Sequence, residues 1–518
     1  MKLRELLYGE GTEFDRNKRC LPRTRLKFLD AIVQWINNPD PSSPKVLALF
    51  GQAGTGKSSI AHEIAHQYNC INRLITSFFF LRGNPPGREP YRFFTTLARD
   101  LCRICPAFKA ALGRIINDKP ELAHARNYTT LMESLLRDPI KNLCFVGPIV
   151  VVVEALDENE DATRKRSYAG GNSIPFHTAL LQCVSGLPSN FRILITSRPE
   201  RGLLDAFPES LPVRYMYMDD QQLAREVDND IFIYMETELC RTGVDEGDLQ
   251  ELVKKAEGLF QWASVACDYI AHPPDGLNSK LCIQRVLNPS TNTTRALNPL
   301  DALYTTVLER FDMSDPEVRD NFRFGMRQIL GSFEPLSVDA LNMMNQFHSS
   351  TDDHRDISDT MKGLGSLLSH VSPSESAFPV APLHTSFRDF LADKTRSGDF
   401  YVNVDNVHVE FALATLRTMQ AELHNNADLK KYLEDNITSA LSYSCRFWAD
   451  HLTHILEFDL VFETLQVFIK ERFAFWLDVV KVRGEAAVAR TALLSLQRWL
   501  VQVKVSISVT LLSYLEVY

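Results

Sequence analysis

Residues 51 to 66, GQAGTGKSSIAHEIAH, contain two overlapping motifs that belong to different kinds of chemistry. Gly51 to Ser58 fits G-x-x-x-x-G-K-[ST], the loop that binds nucleotide phosphates. His62 and His66, with Glu63 after the first of them, fit H-E-x-x-H, the helix of a zinc hydrolase. The two motifs predict different ligands for one helix, so the surrounding sequence has to decide between them.

The context favours the phosphate loop. A short apolar run, KVLALF, ends at Gly51, as a buried parallel strand does, and SSIAHEIAHQY after the loop repeats apolar residues at helical spacing. In such a unit the backbone N–H groups and the helix dipole face the phosphates, Lys57 reaches the outer phosphates, and the Ser58 hydroxyl binds Mg²⁺. The predicted nucleotide-binding residues of the loop are Gly51, Gly54, Thr55, Gly56, Lys57, Ser58 and Ser59.

The zinc alternative has less support. His62 and His66 share one helix face, as zinc binding requires. However, the sequence offers no third ligand with a recognisable spacing, and chance matches to so short a motif occur. We therefore expect no zinc site, with both histidines at the surface or in a groove of the helix.

Acidic residues follow a second apolar run in PIVVVVEALDENED. A phosphate loop needs an acid to hold Mg²⁺ and a group that orients the attacking water. Glu154 stands at the end of the predicted strand, where open parallel sheets place their chemistry. Asp157 and Glu158 follow one turn later. We predict a functional role for these three acids; the alternative is a solvated acidic loop, which we accept only for residues 159–161.

Two further apolar runs predict core strands. FRILITSRPE ends in Thr196, Ser197 and Arg198, and a hydroxyl and a guanidinium at a strand tip can sense a γ-phosphate. The alternative for Arg198 is an ordinary surface charge. RLITSFFFLRG predicts another strand, with Arg82 just past its end.

The order GQAGTGKSSIA, SFFFLRG, VVVVEALDE and ILITSRPE resembles the NACHT branch of the signal-transducing NTPases. It is most similar to the fungal members related to vegetative-incompatibility proteins. CLPRTRLKFLDAIVQWI resembles the segment that precedes the family's NTPase domain, and PLHTSFRDFLAD is similar to its winged-helix segment.

This resemblance assigns roles to several residues. It implies that Glu158, with Asp157, aligns the hydrolytic water and that Arg198 senses the γ-phosphate, which makes these three the predicted catalytic residues. It also implies that His384 contacts the β-phosphate of a bound diphosphate, whereas from the sequence alone His384 is a helix cap. The family's acid on the Mg²⁺ side is usually Asp, so Glu154 places its carboxylate farther out and predicts slow hydrolysis.

The sequence predicts an α/β P-loop NTPase with a three-layer parallel sheet, followed by an all-α lid subdomain, a winged-helix subdomain and a C-terminal helical region. The predicted boundaries are a short N-terminal segment at 1–20, the NTPase core at 21–215, the lid at 216–290, the winged helix at 291–400, the helical region at 401–500 and a tail at 501–518.

The composition and charge of the chain disfavour several classes of binding partner. The chain of 518 residues has a formal net charge of −9 and no dense Lys/Arg run, which disfavours nucleic acid and anionic membranes. It has neither a signal-peptide core nor the roughly 18 uninterrupted apolar residues of a membrane span. Ten scattered cysteines indicate a reducing compartment, so we expect a cytoplasmic protein.

The resemblance to the NACHT family implies a switch that cycles between a diphosphate-bound closed state and a triphosphate-bound open state that self-associates. The expected cofactors are ATP and Mg²⁺, with GTP possible although no N-K-x-D guanine motif follows the loop. The same resemblance implies other signalling proteins as partners and fungal allorecognition or cell death as the output. The alternatives are a nucleotide-binding scaffold without significant hydrolysis and, less favoured, a small-molecule kinase.

Overall fold

The computed structural model describes residues 6–9, 11–80, 89–141, 143, 146–158, 174–199, 212–220, 226–274, 276–288, 298–348, 356–362, 364–371, 373–404, 407–423, 437–456, 459–483 and 486–502. Arg82, residues 159–161 and most of the predicted tail therefore lie outside the described residues. The chain divides into two compact units, Met1–Cys267 and Asp268–Tyr518.

A five-stranded parallel sheet forms the centre of the first unit. Its strands are β1 (Val46–Phe50), β2 (Leu74–Phe79), β3 (Ile149–Glu154), β4 (Phe191–Ser197) and β5 (Val213–Tyr217), in the order β2-β3-β4-β1-β5. The runs VLALF, IVVVVE and FRILITS are buried throughout, which is the pattern of strands covered on both faces. The predicted α/β class is confirmed, and the sheet is compatible with an α/β NTPase.

Helices supply the covering layers of this unit. They are α1 (Leu26–Ile36), α2 (Lys57–Cys70), α3 (Tyr91–Ile104), α4 (Pro106–Asp118), α5 (Tyr128–Leu131), α6 (Asp138–Ile140), α7 (Phe176–Ser185), α8 (Val227–Leu239), α9 (Glu246–Ala256) and α10 (Phe260–Ala271), the last of which continues past the unit boundary. Val151 and Val153 of β3 pack into one apolar core with α3, α4 and α7, whereas Val150 and Val152 pack into a second core with α1 and α2. Successive strand residues thus serve opposite faces of the sheet.

Strand β5 is absent from the sequence-based predictions. It pairs with β1 at the edge of the sheet, and Arg214, Tyr215 and Tyr217 are exposed. Its sequence, VRYMY, therefore lacks the continuous apolar run by which the other strands were predicted.

The second unit is helical in the residues described. Its helices are α11 (Ser279–Leu287), α12 (Pro299–Leu308), α13 (Pro316–Gly331), α14 (Val338–His348), α15 (Ser358–Met361), α16 (Thr385–Ala392), α17 (Lys394–Ser397), α18 (Val407–Glu422), α19 (Ser439–Leu452), α20 (Asp459–Glu471), α21 (Phe473–Val482) and α22 (Ala486–Gln502). Two isolated antiparallel bridges join Ser337 to Pro379 and Leu368 to Pro382, within the segment predicted as a winged helix. The lid and winged-helix boundaries remain predictions.

Within the described part of the chain, none of the helices combines the length and the apolar character needed to cross a membrane.

Candidate nucleotide-binding site

The loop between β1 and α2 has the backbone conformation that a phosphate loop requires. Gly54 and Gly56 have φ angles of 82° and 89°, in the left-handed region that favours glycine. Gly56 is also the N-cap of α2, and it has no side chain to bond the first-turn N–H groups. These backbone donors at the positive end of the helix are therefore available to an anion.

Lys57 is held inside this loop. Its side chain is buried, and Nζ donates to the carbonyl oxygens of Gly51 at 2.7 Å and Gln52 at 2.8 Å. Burial lowers the pKa of Lys57 to about 8, although the nearby carboxylates Asp157 and Glu154 act in the opposite direction. A bound phosphate would supply the compensating negative charge that this desolvated ammonium group needs.

The structure brings together the two residues predicted to hold Mg²⁺. Ser58, in the first turn of α2, donates from Oγ to Oε1 of Glu154 at 2.5 Å, across strand β4, which lies between β1 and β3. Burial raises the pKa of Glu154 to about 7, and the hydrogen bond from Ser58 only partly offsets it. A hydroxyl and a carboxylate are oxygen ligands of the kind that Mg²⁺ prefers.

Asp157 is bound to the tip of β4. Its Oδ1 accepts hydrogen bonds from Ser197 Oγ at 3.1 Å and from the Arg198 backbone N–H at 3.0 Å, and Oδ2 lies 3.2 Å from Arg198 Nε. The sequence predicts that Asp157 and Arg198 belong to one site, but it does not predict that they form an ion pair. The pair orients the Arg198 guanidinium through the acid that was predicted to align water.

Glu158 ends the short turn that follows β3. Its backbone N–H donates to Ala155 O at 2.9 Å, and Ala155 has a left-handed φ of 55° that turns the chain sharply after Glu154. The Glu158 side chain is buried near the carboxyl edge of the sheet, close enough to Lys57 to influence its pKa. Its role toward water stays a prediction.

His384 lies in the second unit, where it is the N-cap of α16. Its Nδ1 accepts from the Ser386 N–H at 3.0 Å, which is the helix cap expected from the sequence alone. The β-phosphate contact implied by the family resemblance remains a prediction.

Of the two positions expected for the H-E-x-x-H histidines, the surface or a groove of the helix, the surface position is wrong for His62. His62 is buried, its Nδ1 accepts from the Asp15 N–H at 3.0 Å, and its ring stacks on Phe79 with centroids 4.3 Å apart. Burial lowers its pKa to about 4, so the ring is neutral near pH 7. The motif is therefore part of the packing between α2 and the N-terminal segment. No group of three or more His, Cys, Asp or Glu residues among those described is placed to hold a metal ion.

His62→Ala is expected to lower the free energy of unfolding by about 1–3 kcal/mol, because the partly buried Asp15 N–H loses its acceptor. His66→Ala, on the same helix but less buried, is the matched control and should cost less than about 0.5 kcal/mol. Urea unfolding measures both values. Metal analysis of the same samples tests the alternative, since about one zinc per chain that is lost in His62→Ala would establish the zinc motif.

The sequence model of the family described as nephrocystin 3, N-terminal, matches residues 25–198. This span begins just before α1 and ends at Arg198, so it includes the loop, the acids that follow β3 and the end of β4, but it covers less than half of the chain. A search of curated proteins found no match.

Fold and site together define an α/β protein with a glycine-rich, lysine-containing loop at the carboxyl edge of a parallel sheet. Its N-terminal region is similar to the nephrocystin 3 N-terminal family over residues 25–198.

Proposed function

We propose that this chain binds a nucleoside triphosphate with Mg²⁺ at residues 51–58 and acts as a nucleotide-dependent switch of the NACHT type. The contact between Ser58 Oγ and Glu154 Oε1 is the observation that carries this proposal. It joins the loop to the acid-bearing strand in the way that a Mg²⁺–nucleotide site requires. The similarity of residues 25–198 to the nephrocystin 3 N-terminal family gives independent support for a common fold of this region.

In this proposal, different residues of the site bind the phosphates, hold Mg²⁺ and respond to the terminal phosphate. The glycine-rich loop and the N-terminus of α2 bind the phosphates, and Lys57 neutralises their charge. Bound Mg²⁺ would supply charge stabilisation, with Ser58 and Glu154 as its protein-side ligands. Asp157 holds Arg198 at the edge of the same site, where the guanidinium can respond to an additional phosphate.

The proposed switch has two states that differ in the bound nucleotide. ATP is the favoured nucleotide and GTP the second choice; the diphosphate state is closed, and the triphosphate state self-associates and engages other signalling proteins. Slow hydrolysis returns the chain to its closed state. An output in fungal allorecognition or cell death rests on the sequence resemblance.

A scaffold that binds nucleotide without significant hydrolysis is the second candidate. It is favoured by two features of the site: Glu154 is buried, which raises its pKa to about 7, and Asp157 is already paired with Arg198. A half-protonated metal-side acid and an occupied water-aligning acid both reduce turnover. Phosphate release by the purified chain separates the two candidates.

Ser58→Ala is expected to remove the effect of Mg²⁺ on nucleotide affinity, because the hydroxyl that faces Glu154 is lost. Calorimetric titration with ATP, with and without MgCl₂, should show a clear Mg²⁺-dependent gain for the wild type and almost none for the variant. Ser185→Ala on α7 is the control, since this serine is exposed and its hydroxyl donates to the Gln182 carbonyl oxygen of the same helix. An equal Mg²⁺ effect in all three proteins would place the metal elsewhere.

A further inference from the structure

Strand β2 forms one edge of the sheet, and its sequence lacks the charges and prolines that commonly protect an edge strand. Residues 74–81, LITSFFFL, contain no charged residue, no proline and no glycine. Uncharged segments of high β-propensity are the ones most prone to pair with a strand of another molecule. The strand at the opposite edge, β5, differs in this respect, because it carries the exposed Arg214.

A segment near the N-terminus lies along this edge. We call residues 6–15 the N-terminal strap; Glu10 is the one residue of it outside the described part of the chain. The carbonyl oxygen of Thr12 accepts from the Phe79 backbone N–H at 3.1 Å, and the Phe14 backbone N–H donates to Ser77 Oγ at 3.0 Å. The strap and β2 therefore run in opposite directions.

The strap uses an outward-facing backbone group of the edge strand. The Phe80 N–H donates to Glu154 O in β3 at 3.1 Å. Successive N–H groups of a strand point to opposite sides, so the N–H of Phe79 points away from β3, toward the position of a further strand. The Thr12 carbonyl oxygen occupies that position as the acceptor.

Hydrogen bonds to helices on both faces of the sheet hold the strap in place. Toward α3, the Tyr8 hydroxyl donates to Asp100 Oδ1 at 3.0 Å, and the Gly9 backbone N–H donates to Thr96 Oγ1 at 2.8 Å. The last residue of the strap donates to His62 of α2, as described above. Since α3 and α2 belong to different cores, the strap crosses the sheet edge from one helical layer to the other.

We propose that the N-terminal strap is an autoinhibitory cap, which occupies the edge of β2 and so prevents a second copy of this chain from pairing there. The outward backbone groups of β2 can bond the strap or another strand at one time, but not both. A second copy fits this edge because two uncharged β2 strands meet without electrostatic repulsion, and their antiparallel pairing agrees with a twofold axis. The inference goes beyond the proposed function, because it requires no nucleotide.

Gly9→Val in the full chain is designed to lift the strap from β2. A Cβ atom at this position would lie 2.8 Å from Phe78 Cε2 and 3.0 Å from Thr12 Oγ1. The Phe78 ring is fully buried and packs edge-on against Phe93, so it cannot move aside. Without nucleotide, we expect a monomeric wild type and a variant whose average mass is roughly doubled or more. Size-exclusion chromatography with light scattering measures both.

Two further variants separate displacement of the strap from a general effect of substitution. Leu6→Asp places a charge where the wild-type side chain is 1% exposed, so it should lift the strap by a different route and give the same increase in mass. Gly365→Val is the matched control, because its added Cβ would meet the Val371 side chain at an ordinary 3.8 Å. Its mass should stay that of the wild type.

Ser77→Lys, combined with Gly9→Val, tests whether β2 is the contact. A lysine on an edge strand opposes pairing with an identical edge, because the two charges repel each other and the long side chain obstructs the approach. The double variant should therefore return to the mass of the monomer.

Each of the remaining outcomes decides against the proposal. A monomeric mass in both Gly9→Val and Leu6→Asp would overturn it, and an assembly that persists in the double variant would place the contact elsewhere. Loss of the far-ultraviolet circular dichroism signal in both variants would show that the strap is part of the core and not a removable cap. Adding Lys57→Ala should leave the assembly intact; an assembly that it abolishes would belong to the nucleotide switch instead.

Discussion

Lys57→Ala is expected to weaken binding of the ATP–Mg²⁺ complex by roughly 100-fold or more, because it removes a charge-assisted contact to the phosphates. The fold should survive, since the hydrogen bonds of Nζ to described residues end on the carbonyl oxygens of Gly51 and Gln52 in its own loop. Isothermal titration calorimetry measures the affinity, and circular dichroism with thermal unfolding checks the fold.

Lys45→Ala is the matched control for this loss. Lys45 precedes the same strand, β1, at the opposite edge of the sheet, and its Nζ donates to the carbonyl oxygens of Val184, Ser185 and Leu187. Its removal should lower the thermal midpoint and leave nucleotide affinity unchanged. If Lys57→Ala binds nucleotide within a few-fold of the wild type, the assignment of the phosphate loop is wrong.

Glu154→Gln is expected to abolish the pH dependence of Mg²⁺-assisted nucleotide binding. Burial raises the pKa of Glu154 to about 7 from an ordinary value of 4.5, and Mg²⁺ needs the deprotonated carboxylate. In the wild type, the affinity gained from Mg²⁺ should therefore fall about tenfold for each pH unit below 7. The glutamine variant should show a small gain that is constant between pH 5.5 and 8.5.

In the absence of ligand, Glu154→Gln is expected to change how the free energy of unfolding depends on pH. Because the folded-state pKa is raised, the folded chain holds a proton between about pH 4.5 and 7 that the unfolded chain has released. The wild type therefore loses stability as pH rises through that window, and Glu154→Gln should be the more stable protein above pH 7. Denaturant unfolding at pH 5 and pH 8 measures this difference, and a variant that is less stable at both values would contradict the buried, protonated acid.

Glu154→Asp tests whether the length of this acidic side chain limits Mg²⁺ binding and hydrolysis. If Glu154 occupies the position where the resembled family usually has aspartate, the shorter acid should tighten Mg²⁺ binding and raise phosphate release. An unchanged or lower rate would mean that the longer carboxylate is already well placed.

The sequence predicts four strands of the sheet, including the edge strand β2, and misses the other edge strand, β5. β1, β3 and β4 are apolar over nearly their whole length because both faces are covered, and such runs can be recognised without any tertiary information. β5 exposes three of its five residues, so its strand character depends on pairing with β1. That pairing is a long-range property which the local pattern does not encode.

The positions of the site residues are likewise predictable from the sequence only in part. Ser58 and Glu154 could be placed together from the sequence because parallel strands bring their carboxyl ends, and the loops that follow them, to one edge. The pairing of Asp157 with Arg198 depends on the turn at Ala155, whose left-handed φ is not visible in the residue type.

The position of His62 could not be predicted from the sequence motif that contains it. H-E-x-x-H is the motif of a zinc-binding helix, whereas the sequence context leads us to expect both histidines at the surface or in a groove of the helix. In the structure, His62 is buried because the N-terminal segment packs over α2 and donates a backbone hydrogen bond to it. That segment has no strong pattern of its own in the sequence, so neither expectation could include it.

The most direct test of a nucleotide site at residues 51–58 is to identify the nucleotide that the purified chain retains. The protein is purified without added nucleotide and denatured, and the released small molecules are quantified by mass spectrometry beside those from Lys57→Ala. We expect the wild type to release close to one adenosine diphosphate or triphosphate per chain and Lys57→Ala to release almost none. Equal amounts from both proteins, or a wild type that releases no nucleotide and binds none when titrated with ATP and GTP, would contradict the account.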